Sequence, residues 1–445
     1  MLSALRNAWR LPDVRNKLLI TGLILIIYQF AAHVPVVGVD RNALRELLSP
    51  SNAGAGLINV LNLLSGGAVA NFSVIANGVY PYITASIIFQ LLIPIIPRLQ
   101  EIQKEPGGQE KIQRWTYYAA IPMAFLQSYG QIQIFNTLLL QSNASATEII
   151  PQFGSNVLVT ISVLATMTAG TMFAVWLGEL ITEQGIGNGI SIIIFAGIVA
   201  RAPSSFFNLI GTSLHPVWDI VLFLVIVLIS IIVTIYIQEG VRRIPVQYGK
   251  RVRGRKQYGG TATHVPMRVN PVGMIPLIFS QAIITFPTVI VAFFPDGPVK
   301  TSITTSFGSQ QGLVYWGLFF ALTVGFTFFY SEVMIQNQNL ADNLQRQGGF
   351  IPGIRPGKRT EDYILRVTRR ITLVGAVFLG VIAITPGLVD LLNSFLFPGE
   401  AVATSNNAAN VLTGSAIIIV VGVVIDFLRQ LEAQLVMRNY EGFMR

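Results

Sequence analysis

Three features of this sequence predict an all-α integral membrane protein of ten transmembrane helices, folded as two inverted five-helix halves with N- and C-termini cytoplasmic. Apolar residues fill 52% of its 445 positions and charged residues only 11%, where a soluble globular domain carries roughly 25% charged. Ten runs of about 20 predominantly apolar residues punctuate the chain, the length at which a helix crosses the hydrocarbon core of a bilayer. Lysine and arginine crowd into alternate connecting segments, as they do in cytoplasmic loops. This composition, with a mean hydropathy of +0.60, excludes a soluble cytosolic enzyme. The chain has no cysteine and three scattered histidines, His33, His215 and His264, so neither a disulfide framework nor a Cys- or His-based metal centre is available. No catalytic residue, metal site or cofactor is expected.

The runs lie at 18–37, 74–97, 115–140, 157–178, 186–207, 218–237, 272–295, 312–335, 371–388 and 411–428. Basic residues precede the first, as in a signal peptide, but it continues for about 20 residues and no small-residue cleavage site follows, which predicts a retained span. The second holds Pro81 and Pro94, each expected to remove a backbone hydrogen bond and bend the helix. The fifth has the shortest apolar core, ending at Arg201 and Pro203, which suits a short or tilted span. Between runs one and two, segment 54–73 is too apolar for a solvated loop and too short and Gly-rich to cross the bilayer. Two readings fit it: a helix folded back into a protein-lined cavity, and an interfacial helix on the outer surface. Between runs four and five, Gly185, Gly187 and Gly189 recur at every second position. That spacing, between membrane helices, is not the dinucleotide fingerprint. No phosphate-binding G-x-x-x-x-G-K-[ST] occurs either, so nucleotide hydrolysis is not expected.

Orientation follows from the connecting segments. With the N-terminus inside, 26 of the 30 Lys and Arg fall on inside segments, and the net charges are +12 inside and −3 outside. A missed or extra span would invert every later loop and spoil that asymmetry. Five spans per half is an odd number, so the second half enters the membrane inverted, an arrangement that usually encloses a central pathway. The halves are 1–207 and 208–445. Two long inside loops, 238–271 and 336–370, hold 15 of the 26 inside basic residues. In the first, alternation at Ile244, Val246 and Tyr248 and at Val265, Met267 and Val269 flanks a Gly-rich centre. This predicts a β-hairpin with Lys250, Arg251, Arg253, Arg255 and Lys256 at its tip. In the second loop, Pro352 and Pro356 stiffen a projection that carries Arg355, Lys358 and Arg359. Both loops suit docking of a phosphate-bearing or acidic cytoplasmic partner.

Several motifs, in order along the whole chain, resemble the SecY family, channel-forming subunits of Sec protein translocases of bacterial or plastid type. They are LNLLSGGA (61–68), the Pro-Tyr-Ile-x-x-Ser core of run two, WLGELITEQGIGNGISIII, the IPGIRPG loop, Asn-Pro-x-Gly before run seven and the C-terminal QLEAQLVMRNYEGF. The resemblance implies a protein-conducting channel that moves unfolded polypeptides across the membrane and releases transmembrane segments sideways into lipid. It implies a plug over residues 57–72, including Leu61, Leu64, Ser65, Gly66 and Gly67. It implies a pore ring of Val79, Ile83, Ile190, Ile194, Ile278 and Ile419. The implied lateral gate lies between runs two and three on one side and seven and eight on the other, with Thr84, Gln127, Gln281 and Phe286 at the seam.

Partner docking by Arg355, Lys358, Arg359 and the hairpin-tip basics is implied in the same way. So are SecE and SecG as membrane partners, the SecA motor or the ribosome as driving partner, and contact of the basic loops with ribosomal RNA. Signal-sequence-bearing polypeptides would be the substrates and membrane lipid the surroundings, with no cofactor, in a bacterial plasma membrane or a thylakoid membrane. One stretch departs from the family's pattern: Asn77-Gly78-Val79-Tyr80-Pro81-Tyr82 stands where Leu-Gly-Ile-x-Pro-Tyr is usual. A polar Asn near the constriction predicts a looser seal or a ring displaced by a turn.

An ion-coupled secondary transporter also uses five-plus-five inverted repeats, but it needs ionisable groups at mid-membrane. Here Glu179, Asp219, Glu332, Asp390 and Asp426 fall at or near the ends of runs. A scaffold without a conduit leaves segment 54–73 unexplained. The charge asymmetry yields a direct prediction. Accessibility tags placed near residues 256 and 357 and at the C-terminus are cytoplasmic, and tags near 145, 300 and 405 are external; a cytoplasmic tag near 405 would overturn the inverted-repeat argument.

Overall fold

The structure, a computed structural model, describes residues 11–47, 65, 67–141, 148–212, 216–248, 251–253, 256–258, 262–291, 313–396 and 415–441, with short pieces between 294 and 307. Each apolar run falls on a helix, as a backbone in hydrocarbon must bond to itself. The N-terminal half contains α1 (Pro12–Ala31), α2 (Arg41–Leu47), α3 (Tyr80–Ile95), α4 (Pro97–Lys104), α5 (Gly108–Gln141), α6 (Val157–Gln184) and α7 (Gly189–Thr212). The C-terminal half contains α8 (Pro216–Glu239), α9 (Ile275–Val291), α10 (Leu313–Asn337), α11 (Leu340–Arg346), α12 (Lys358–Ala383), α13 (Thr385–Leu396) and α14 (Ser415–Glu441). By length and apolarity α1, α6, residues 220–239 of α8 and residues 314–346 suffice to cross a membrane; α3 with α4 would do so as a pair bent by 103°, and α9 and Gly189–Ser204 are shorter apolar helices. On α8, Val217, Leu224, Leu228, Ile232 and Tyr236 are all exposed, a contiguous apolar face suited to lipid rather than water.

Two proline expectations are revised. Helix α3 starts at Tyr80, so Pro81 occupies its first turn, where a missing N–H costs nothing; it does not bend the span. Pro94 is inside the helix, and the sharp turn follows it at Ile96, between α3 and α4. Run nine is also longer than its apolar core, because its helix begins among charged residues at Lys358 and breaks after Ala383 before α13.

The predicted hairpin is present. Strands β1 (Val241–Tyr248) and β4 (Ala262–Arg268) pair antiparallel, with Ile244 opposite Val265, and β5 (Gly349–Phe350) adds to the other edge of β1. Strands β2 (Arg251–Arg253) and β3 (Lys256–Tyr258) form an inner hairpin. The fold is therefore helical with a small sheet at the end that bears the basic loops. Alternation buries Ile244 and Val246 with Met267, Leu344, Ile351 and Ile364, which ties both basic loops to one apolar base.

Close approaches at glycine fix several helix crossings. A Cβ at Gly189 would overlap the Gly178 carbonyl, so α6 and α7 touch backbone to backbone across their Gly-rich turn. In that turn Gly187 has φ +100°, a conformation that favours glycine. A Cβ at Gly170 of α6 would overlap the Val74 carbonyl, and the 73–74 segment is itself held by Val74 N–H to Val34 O at 2.9 Å. Gly170→Ala therefore destabilises the protein by about 1–3 kcal/mol through overpacking, read as a lower thermal midpoint in detergent. Gly317→Ala, where a Cβ meets nothing within 4 Å, leaves the midpoint unchanged or raised.

Candidate functional site

The largest apolar cluster gathers side chains from both halves. Val79 and Ile83 come from the start of α3, Ile194 from α7, Ile278 from α9 and Ile419 from α14; all five are buried in it, and Ile190 packs against it half-buried. The six positions assigned to a ring by resemblance therefore converge on one apolar region contributed by four helices. Asn77, the polar residue beside this region, has its amide nitrogen occupied. Its Nδ2 donates to Ser128 Oγ at 2.6 Å and to the Ala124 carbonyl at 3.4 Å, so the polar group is satisfied against α5.

Beside the apolar cluster runs a buried polar seam. Gln127 Nε2 donates to Thr84 Oγ1 at 3.1 Å, and the Thr84 hydroxyl donates to the Tyr80 carbonyl at 3.0 Å, linking α5 to α3. Across the seam, Gln281 Nε2 donates to the Tyr315 hydroxyl at 3.4 Å, linking α9 to α10. The two sides meet at Tyr80, whose hydroxyl donates to the Ala282 carbonyl at 2.8 Å and lies 2.7 Å from Thr285 Oγ1. Gln127, Thr84, Tyr80, Gln281 and Thr285 are all buried, while Phe286 beside them is half-buried. Gln127 Oε1 and Gln131 Nε2, also buried, have no hydrogen-bond partner among the described residues. Polar groups placed this way, in helices otherwise apolar, act as interhelical glue.

Of the positions assigned to a plug, Leu61, Leu64 and Gly66 lie outside the described residues. Ser65 and Gly67 are anchored: the Tyr28 hydroxyl donates to Ser65 O at 2.8 Å, and Arg201 Nη2 donates to Gly67 O at 2.9 Å. Gly67 has φ +99°, and a Cβ there would press on the Arg201 guanidinium. A single 3-10 turn, Val69–Asn71, follows, and Phe72 packs edge-on against Phe135 of α5 at 5.5 Å. Arg201 read in sequence as an ordinary charge at the end of a run, and nothing in the pattern pairs it with Gly67, 134 positions away. Tyr80 and Thr285 were also missed as seam members. Their signal is legible in retrospect: Tyr80 with Thr84, and Gln281 with Thr285, are spaced i, i+4, on one helix face.

At the basic end, Arg355, Lys358 and Arg359 are exposed. Their loop is pinned from behind by buried Ile351 and by Ile354, and the Thr360 hydroxyl donates to Arg355 O at 2.9 Å. Of the hairpin-tip residues, Arg251, Arg253 and Lys256 lie on β2 and β3, and Lys250 and Arg255 are outside the described residues. A cavity of about 240 Å³ opens nearby between α7, α9 and α14, lined by Asn188, Ser191, Met274, Asp426, Arg429 and Arg268 among others.

Comparison with known proteins decides the lineage. The family described as SecY matches residues 73–428. The chain belongs to the SecY family. It is similar along its full length, and along theirs, to the protein translocase subunit SecY of Streptomyces scabiei at 37% identity, of Mycobacterium bovis at 40% and of Bacillus licheniformis at 39%. Among solved structures, it resembles a protein-conducting channel with a TM-score of 0.60 and 17% identity, covering 95% of this chain and 93% of that one. It also resembles Sec61 from a canine ribosome–channel complex of the endoplasmic reticulum, with a TM-score of 0.57 and 16% identity, covering 95% and 93%. At these identities the structural likeness shows the fold alone.

Proposed function

We propose that this chain is the central channel subunit of a protein translocase, passing unfolded polypeptides across a membrane and releasing apolar segments sideways into lipid. The observation that carries the reading is the polar seam between α3–α5 and α9–α10, a breakable line beside an apolar cluster in a SecY-family chain. In this reading ten helices cross the membrane, both termini are cytoplasmic, and halves 1–207 and 208–445 enclose the path. Residues 57–72 form the plug, and Tyr28 and Arg201 hold its stem at Ser65 and Gly67.

The six aliphatic residues serve as a gasket because the channel must pass any sequence yet block ions. Charged or hydrogen-bonding linings would bind some segments and help ions shed water, whereas a narrow apolar neck dewets when empty. Arg355, Lys358 and Arg359, with the hairpin tip, dock the driving partner. The fold's occurrence in a ribosome–channel complex supports a ribosome and its RNA as one such partner, with SecA as the other and SecE and SecG as membrane companions. The bacterial sources of the full-length relatives favour a bacterial plasma membrane over a thylakoid.

Two experiments test this. Ile83→Asn combined with Ile278→Asn raises the ion leak of closed channels and loosens signal-sequence stringency, whereas Val225→Asn with Leu228→Asn, at positions 49% and 61% exposed on α8, does not. Equal leak from both pairs would assign the effect to general destabilisation. Arg355→Glu, on an exposed and preformed loop, leaves folding and membrane insertion intact but weakens partner docking by about 2 kcal/mol or more through like-charge contact. Normal export by correctly folded mutant protein would sink the docking role.

A further inference from the structure

The cavity of about 240 Å³ between α7, α9 and α14 stacks on the apolar cluster, on the side of the basic loops. Three of the four helices that supply the aliphatic residues also supply its wall. On α14, Val423 and Asp426 follow Ile419 by four and seven residues, about 6 and 10 Å along the axis. At the start of α9, Ile278 N–H donates to Met274 O at 3.4 Å, so Met274 lies one turn before Ile278. On α7, Asn188 and Ser191 flank Ile190, and Ser191 N–H donates to Asn188 Oδ1 at 3.2 Å. Val423 and Met274 are buried, whereas Arg268, Asp426 and Asn188 are exposed. The cavity therefore has an apolar floor towards the cluster and a polar rim towards the basic loops.

Three charged side chains line this cavity: Arg268, Asp426 and Arg429. Arg429 is committed to the end of α8, where its Nη2 donates to Glu239 Oε1 at 2.8 Å and to the Gln238 carbonyl at 3.0 Å; its Nη1 is 3.9 Å from Asp426. Arg268, the last residue of β4, is within electrostatic reach of Asp426. Among the described residues it makes no hydrogen bond or ion pair. A lone charge beside an apolar wall is felt more strongly than one in open water, because the wall excludes solvent. One charge of each sign at the rim cancels that bias. We propose that Arg268 and Asp426 are a specificity-determining pair on the translocation path, a balanced collar that lets basic and acidic stretches of an unfolded chain reach the neck at similar rates. The proposal rests on the reading of the apolar cluster as that neck. An unbalanced collar is selective: Asp426 alone holds back acidic stretches and draws in basic ones, and Arg268 alone does the reverse.

The test uses the assembled translocase and secreted reporters that are identical except for one internal run of Lys, of Asp or of Gln. The quantity read is the ratio of Lys-run to Asp-run translocation rates, in which a change in partner docking, common to both, cancels. Arg268→Gln raises that ratio by about two- to fivefold and Asp426→Asn lowers it by a similar factor, the range of an exposed charge contact. The double variant returns it towards the wild-type value. Shifts in one direction from both single variants, or a double variant that fails to cancel them, would overturn the pair. Arg346→Gln, on the exposed face of α11 and outside the cavity lining, leaves the ratio unchanged; an equal shift there would assign the effect to surface charge in general. Because the chain has no cysteine, Arg268→Cys gives a check within one folded protein. A thiosulfonate reagent bearing an ammonium group restores the wild-type ratio, and one bearing a sulfonate raises it beyond that of Arg268→Gln. Identical ratios from the two adducts would sink the collar. The Gln-run reporter tests the channel reading separately. If the wild-type protein does not carry it, the neck falls together with the collar; if it is carried while the ratio stays fixed in every variant, the collar is wrong and the neck stands.

Discussion

Hydrocarbon offers a polar group no hydrogen-bond partner, and that constraint governs where each buried Gln, Thr, Tyr and Asn of this chain is placed. In water an unpaired side chain costs little, because solvent satisfies it. In a bundle whose outer face carries side chains such as Leu228, Ile232 and Tyr236 of α8, every polar atom must be satisfied by another part of the protein or pay several kcal/mol. Most threonines here meet the constraint within their own helix, as Thr323 does with Phe319 O at 2.8 Å and Thr368 with Ile364 O at 2.9 Å. Other polar groups reach across to a second element, within one half as Ser331 does to Thr372 and Asn77 to Ser128, and between the halves at Tyr80.

Packing geometry separates interfaces built to stay from an interface able to part. Helices α10 and α12 share a buried Ser331–Thr372 hydrogen bond of 2.9 Å and also interlock through shape: a Cβ at Gly380 would meet the Phe320 ring at 2.7 Å, and one at Gly387, in α13, would meet the Trp316 indole at 2.5 Å. Such contacts vanish only if bulky rings leave their sockets, and nothing in an entering polypeptide could replace them all. Between α3 and α9, among the described residues, the directional contribution is one tyrosine hydroxyl, which donates to the Ala282 carbonyl and lies 2.7 Å from Thr285 Oγ1. Interhelical hydrogen bonds of this kind are worth about 0.6 to 1.7 kcal/mol each in a membrane, small enough for a single apolar segment to offset.

How much of this was visible in the sequence depends on whether the signal is local. The helical character of the apolar runs, the hairpin around Ile244 and Val265, and the exposed Arg355 projection all rest on neighbours in sequence; each run overlaps a helix, and the hairpin and the projection are present in the structure. Positions assigned by resemblance, such as Ile83, Ile278 and Ile419, could not be told from lipid-facing isoleucines by pattern, because burial between helices leaves no periodic mark when the helix is apolar all round. The start of α3 was misjudged for a related reason: residues 74–79 are apolar enough to continue a span, yet they form turns tied to the 34–36 segment through Val74 N–H to Val34 O at 2.9 Å. Arg201 shows the limit most plainly. Its partner is a backbone carbonyl, which every residue has, so no composition or spacing could have nominated Gly67.

The gasket and the gate are joined by helix geometry. Along α3 the apolar pair Val79 and Ile83 and the polar pair Tyr80 and Thr84 are each spaced i, i+4, one residue out of phase, which sets their faces about 100° apart on one helix. On α9, Ile278 precedes Gln281 by three residues, so the two faces there are about 60° apart. Neither helix has an interior proline between its two sets, since Pro81 is in the first turn of α3 and Pro287 follows Gln281 on α9. Each helix therefore carries its aliphatic and its polar groups as one rigid piece. On the proposed reading, α3 cannot move away from α9 along the seam without carrying Val79 and Ile83 away from Ile278. A segment that breaks the polar line thereby widens the apolar neck, so sideways opening and pore dilation are a single motion imposed by two short stretches of helix.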